Sequence, residues 1–182
     1  FAGIMRRGGF DAVIGNPPYV RQETLGQEFK EYAKKRFAVY HGVADLYTYF
    51  IEKGVSLLRP GGQFGYIVAN KWMRANYGKP LRGWLKQKKI REIVDFGDLP
   101  VFRGATTYPC ILRVSPGPPD ETFPVTQVAS LDFPDLCEYV REASRPVRVD
   151  DLDDNGWSLV DGRISALLKK IRGGGVPLGK YV

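Results

Sequence analysis

The sequence predicts an α/β fold built on a mostly parallel sheet with helical crossovers. Three observations carry that expectation. Short apolar runs of strand length at 10–15, 63–69 and 90–96 alternate with stretches whose apolar residues recur at helical spacing. Clusters of Gly and Pro at 59–62 and 116–119 punctuate the alternation. With 182 residues, 43% of them hydrophobic, the chain can bury one core and carry a small appendage.

The run Phe10-Asp11-Ala12-Val13-Ile14-Gly15 reads as a short buried strand. It stops at Asn16-Pro17-Pro18-Tyr19, because two consecutive prolines supply no N–H to a ladder. Phe29, Tyr32, Ala33 and Phe37 then mark a helix over 27–37, broken by Gly42. Asp45 is placed to cap a helix over 46–58 whose apolar side is Leu46, Tyr49, Phe50, Val55 and Leu58. Arg59-Pro60-Gly61-Gly62 ends that helix, and residues 63–69 form a buried strand. A basic helix over 79–89, with Leu81, Trp84 and Leu85 inward, leads to the strand at 90–96. Residues 109–114 and 123–128 read as an antiparallel pair across the turn at 116–119. Residues 119–155 show no core pattern beyond a helix near 135–143 and are expected to be a connecting arm. A short amphipathic helix over 162–172 precedes Gly173-Gly174-Gly175, which follow a helix rather than a strand and so cap or link it.

The net charge of +7 is unevenly spread. Residues 1–118 hold 19 basic and 9 acidic side chains, residues 119–155 hold 3 and 10, and residues 156–182 hold 5 and 1. Between 71 and 91 there are eight Lys or Arg and no acid. Such a segment suits a phosphate backbone, with Lys71, Arg74, Lys79, Arg82, Lys86, Lys88 and Lys89 as its contacts. Cys110 and Cys137 form neither a metal spacing nor a disulfide framework, which points to a reducing cytoplasm. His41 has no Cys or His nearby, so no metal is expected. No stretch approaches the ~20 apolar residues that span a bilayer, so no membrane partner is expected.

The proline motif has a specific chemistry. Each proline forces the residue before it into an extended conformation, so Asn16 and Pro17 are held stiffly at a strand end. The carboxyl edge of an open α/β sheet is where ligands bind. The Asn16 amide oxygen and the Pro17 carbonyl can each accept one N–H of an exocyclic base amine. That arrangement localises the amine's lone pair and aims it at an electrophile. Tyr19 offers a stacking face, worth about 1–3 kcal/mol per base.

Asn16-Pro17-Pro18-Tyr19 resembles the catalytic motif of the amino-group DNA methyltransferases of adenine-N6 type, as found in fused type IIG-like restriction–modification enzymes. The likeness continues through Asp45-Leu46-Tyr47 to Gly62, through 63–72, and through Asp95-Phe96-Gly97, Val101-Phe102 and 108–114. It implies the C-terminal half of a Rossmann-like S-adenosylmethionine-dependent methyltransferase domain, a mixed sheet with a terminal antiparallel hairpin, over 1–118. Residues 119–155 would then be an acidic connecting arm and residues 156–182 the start of a target-recognition region.

The implied reaction moves a methyl group from S-adenosylmethionine to a flipped-out adenine of double-stranded DNA. Asn16, Pro17, Pro18 and Tyr19 would be catalytic, Tyr19 and Phe102 would sandwich the base, and Asn16 and Phe50 would border the cofactor. Cytosine-N4 is the nearest alternative substrate, and RNA or a protein amide stay open. A second reading is a non-enzymatic nucleic-acid-binding module that uses residues 71–91, its proline turn purely structural. The family's glycine-rich cofactor turn and ribose-binding acid are not found here, so the cofactor half is expected upstream of Phe1 in the same protein. The isolated chain is accordingly expected to be inactive.

Overall fold

A computed structural model describes residues 1–104 and 107–159, with helical positions at 167, 170, 171, 173 and 174. A short helix α1 (Ala2–Arg6) leads into β1 (Phe10–Gly15). Beyond the proline motif, α2 (Gly26–Arg36) and α3 (Tyr47–Ser56) cross back to β2 (Leu58–Ala69), which lies parallel to β1. Helix α4 (Lys79–Leu85) crosses to β3 (Lys89–Asp95). Strands β4 (Pro109–Ser115) and β5 (Thr122–Gln127), helix α5 (Leu136–Ala143) and β6 (Arg145–Arg148) complete the fold. The six strands form one mixed sheet in the order β1-β2-β4-β3-β5-β6. The mixed α/β sheet that the resemblance implied is present, but three of its five pairings are antiparallel, so it is not the mostly parallel sheet that the strand–helix alternation predicts. β3 and β4 form its hairpin, with Asp95 opposite Cys110.

Four local expectations are corrected. Strand β1 is an edge strand rather than a buried one, and Ile14 is 85% exposed, because no described strand pairs with its outer side. Arg59-Pro60-Gly61-Gly62 lies inside β2 as an irregularity, and α3 has already ended at Ser56. The register jumps from Phe10 opposite Leu58 to Ala12 opposite Gln63, and Gly61 takes φ +78° within the extra residues. Helix α4 stops at Leu85, short of Lys89, which opens β3.

The fourth correction concerns β4 and β5, which do not pair with each other. β4 inserts between β2 and β3, antiparallel to both, and β5 runs parallel to the far edge of β3. The cause is burial: Cys110, Leu112 and Val114 of β4 join Phe64 and Val68 of β2 and Ile93 of β3 in the main core. Helices α3 and α4 cover that core with Ile51, Val55, Leu81 and Leu85. A smaller core on the opposite face holds Val94, Phe96 and Val128 against Val140 of α5.

The acidic segment packs rather than standing off as an arm. Its β6 pairs antiparallel with β5, and Leu152, Trp157 and Leu159 are buried in the main core. The tail helix and recognition region expected over 156–182 lie largely outside the described residues. Positions 173 and 174 are helical, so two of the glycines expected to end that helix continue it.

Candidate active site

The site is built where β1 stops. A Cβ on Gly15 would lie 2.9 Å from the Tyr66 ring, so glycine lets the strand end run flush against β2. Pro17 is buried, whereas Asn16 and Pro18 are exposed and Tyr19 is 36% exposed. Backbone bonds staple the following residues to the start of α3: Leu46 N–H donates to Val20 O at 2.7 Å and Gln22 N–H to Ala44 O at 3.1 Å. Buried Gln22 adds side-chain anchors, accepting from the Tyr49 hydroxyl at 2.6 Å and donating to the His41 carbonyl.

Behind Tyr19 lies a hydroxyl chain. The Tyr19 ring meets the Tyr47 ring edge-on, 6.0 Å between centroids at 74°. The hydroxyls of Tyr47 and Tyr77 are 2.8 Å apart, and the Tyr77 hydroxyl donates to Asp45 Oδ2 at 2.8 Å. Burial raises the pKa of all three tyrosines above the usual phenol value. Asp45 therefore serves Tyr77 rather than capping α3. The amides at the start of that helix are met by main-chain carbonyls, Thr48 N by Asp45 O and Tyr49 N by Leu46 O.

A second polar group stands at the ends of β2, β3 and β4. Asn70 Nδ2 donates to Asp95 Oδ1 at 2.8 Å, the Gly97 amide donates to the same oxygen at 3.0 Å, and the Asn70 amide donates to Tyr108 O at 2.7 Å. Cys110, opposite Asp95, is fully buried, and burial raises its thiol pKa. Phe102 sits half-buried on the connection between β3 and β4, outside both core clusters. Phe50 is 40% exposed although Tyr47, Tyr49, Ile51 and Val55 of the same helix are buried, so it is not the core residue its spacing alone suggests. Sequence reading missed Tyr47, Tyr77, Asn70 and Asp95 as site residues. Asp95 alone carried a local signal, an acid at the carboxyl end of a strand directly after Ile93 and Val94.

The seven predicted phosphate contacts divide. Arg82 is 0% exposed and cannot reach a phosphate. Its Nη1 donates to Trp72 O at 2.5 Å and Ala75 O at 2.9 Å, and its Nε and Nη2 donate to Asp154 O at 3.1 and 2.9 Å. Lys86 reaches Leu152 O at 3.1 Å and Asp154 Oδ1 at 3.0 Å, and Lys89 pairs with Asp120 at 2.9 Å. Lys88 is half-buried, its Nζ 5.0 Å from the centre of the Trp84 ring. Lys71, Arg74 and Lys79 are exposed, and none forms an ion pair among the described residues. Lys71 lines a cavity with Arg21, Glu23, Asp45 and Tyr77.

Residues 1–102 match the Eco57I restriction-modification methylase family. The type II methyltransferase M.PaeR7I of Pseudomonas aeruginosa is 37% identical over 110 residues, 59% of this chain and 19% of that protein. The adenine-specific methyltransferase BrxX of Escherichia coli O9:H4 (strain HS) is 35% identical over 80 residues, 44% of this chain and 6% of that protein. The chain thus spans about a fifth or less of the length of these relatives. The methyltransferase subunit of the type I restriction-modification system from Streptococcus thermophilus superposes with a TM-score of 0.54 at 16% identity, over 93% of this chain and 33% of that one. At that identity the likeness is one of fold, and the sheet is that of a Rossmann-like methyltransferase.

Proposed function

This chain belongs to the Eco57I restriction-modification methylase family, and from that premise we propose that its parent methylates the N6 amine of adenine in double-stranded DNA. The observation that carries the reading is the proline loop itself. Its amide and aromatic ring are open to solvent, while buried Pro17 and the bonds to Ala44 and Leu46 hold its backbone.

The Asn16 oxygen and the Pro17 carbonyl accept the two amine hydrogens, and Tyr19 and Phe102 supply the faces between which an extruded base stacks. Positioning is the main catalytic effect, since no nucleophilic side chain is required. A relative described as adenine-specific supports adenine over cytosine-N4. Among the described residues no cluster of His, Cys, Asp and Glu could hold a metal.

The cofactor implied is S-adenosylmethionine, which supplies an electrophilic methyl group when bound. The residues present fit part of it: Phe50 keeps an apolar face open on a helix whose other hydrophobic side chains are buried, and Asn16 places an amide at the strand end. The rest of the grip belongs to an upstream half of the same protein. Support comes from the unpaired edge of β1 and from the apolar surface that Ile14, Ile67 and Ile111 leave beside it. On this reading the isolated chain is inactive, residues 156–182 begin the target-recognition region, and the protein works in the cytoplasm. Among the described residues no helix is long and apolar enough to cross a membrane.

Asn16→Ala in the full-length parent tests the reading. It removes one acceptor for the amine and leaves the prolines and stacking faces. We expect kcat to fall on the order of 10²-fold or more with DNA affinity almost unchanged, the pattern of a lost transition-state interaction. Near-normal turnover with labelled cofactor and unmethylated DNA overturns it. DNA affinity that depends on the basic segment, in a parent that transfers no methyl group, would leave the non-enzymatic module.

A further inference from the structure

We infer that Asp45, Tyr77 and Tyr47 form a positioning relay that sets the ring of Tyr19 and the course of the proline loop. The inference rests on the methyltransferase reading. An ionised carboxylate only accepts hydrogen bonds, so the Tyr77 hydroxyl proton is committed to Asp45 Oδ2 at 2.8 Å. The oxygen of Tyr77 is then the acceptor for the Tyr47 hydroxyl, also at 2.8 Å. Each proton in the chain has one direction, and the last member is a fully buried ring whose edge meets Tyr19.

The relay joins three segments that are distant in sequence. Tyr77 lies in the single helical turn Asn76–Gly78 that follows the exposed cations Lys71 and Arg74. Tyr47 opens α3, and the backbone of Asp45 bridges Arg21, two residues beyond Tyr19. A shift of the 70–78 segment is thereby carried to Tyr19 through hydroxyls and packed rings rather than through solvent. Loss of the Tyr77 hydroxyl leaves the Tyr47 hydroxyl buried without its partner. The ring must then move or accept an unsatisfied donor, and either outcome disturbs the surface under Tyr19.

A double-substitution cycle in the full-length parent separates positioning from general support of the fold. Single-turnover methyl transfer is measured for Tyr77→Phe and for Tyr19→Ala, alone and together. Tyr77→Phe should slow transfer about 10-fold when Tyr19 is present and less than about 2-fold in the Tyr19→Ala background. Tyr47→Phe, which keeps the ring and removes only its hydroxyl, should show the same dependence on Tyr19. If the factors simply multiply, the relay is scaffolding and the inference fails.

Amide exchange in the same parent gives a readout that needs no activity. Tyr77→Phe should raise exchange at Gln22 and Leu46 at least about 10-fold more than at Ile93 and Leu112 of the sheet. Unchanged protection at Gln22 and Leu46 refutes the relay even in an active enzyme. Loss of their protection in a parent that methylates nothing refutes the methyltransferase reading instead and leaves the mechanical link standing.

Discussion

The proline loop and the basic segment are two regions of one fold that the sequence describes with very different success. In the loop, residue types restrict the backbone itself, and the backbone decides what is presented. Pro17 is buried, Asn16 is open, and the stop of β1 falls where two missing N–H groups require it. In the segment over 71–91, composition supplies charge and says nothing about direction. Of seven cations, one is fully buried, two are bonded to acids and carbonyls of the 120–154 stretch, one lies on a tryptophan, and three face solvent. A restricted backbone predicts what a loop presents, whereas a run of like charges predicts only that counter-charges or solvent must be found.

Arg82 gives the sharpest test of that difference. Its guanidinium ties α4 to the carbonyls of Trp72, Ala75 and Asp154, with Trp157 packed on Trp72 at 5.2 Å between ring centroids. Arg82→Met keeps the apolar stem and leaves those carbonyls without their donor. Urea unfolding should show a loss of about 2–4 kcal/mol, given that hydrogen bonds to charged groups contribute about 1.5–3 kcal/mol each. A variant of normal stability with weakened DNA binding would return Arg82 to the phosphate contacts and erase the contrast.

The same division governs what was legible in the fold. β1, α2, α3, β2 and β3 exist where periodicity places them, because periodicity is local, although the Gly-Pro cluster at 59–62 misplaced the boundary between α3 and β2. The place of β4 does not: the turn at 116–119 suggested a pair with β5, but pairing is decided by which edges bury Leu112 and Val114. The family resemblance implied a terminal antiparallel hairpin, which β3 and β4 form, where local turn chemistry misled. Within the site, Asn16, Tyr19, Phe50 and Phe102 were named by motif; the first three lie exposed and Phe102 half-buried. Tyr47 and Tyr77 were invisible as a pair, since 30 residues separate them and only the folded chain brings their hydroxyls together. The acidic stretch read as an arm because the residues that tie its end to the core, Leu152 within it and Trp157 and Leu159 just beyond it, are too sparse to show a period.

A smaller effect is expected from the cations that do face solvent. Replacing Lys71, Arg74 and Lys79 together by Gln in the parent should weaken binding to all DNA sequences alike, on the order of 10-fold or more at moderate salt. The plot of log affinity against log salt should become shallower by about 2–3, since each phosphate contact contributes about 0.9. Sequence preference should survive, because phosphate contacts position the protein without reading bases. An unchanged slope would mean that these three are merely solvated, and the basic segment would then hold no phosphate contact that its geometry permits.

The smallest effect belongs to Lys86 and Lys89, which sequence reading placed beside those three. Lys86 bonds Asp154 and the Leu152 carbonyl, and Lys89 bonds Asp120. Both pairs are partly solvent-exposed, so each contributes at most about 1 kcal/mol to stability. A phosphate would have to displace a carboxylate that is already in place, and the neighbouring acids would repel it. Lys86→Gln with Lys89→Gln should therefore leave the salt slope of DNA binding within about 0.5 of the wild-type value, and lower the unfolding free energy by no more than about 1–2 kcal/mol. A slope that falls by nearly 2 would show that DNA strips both lysines from their partners. The acidic stretch would then act as a mask on the basic segment rather than as its permanent counter-charge.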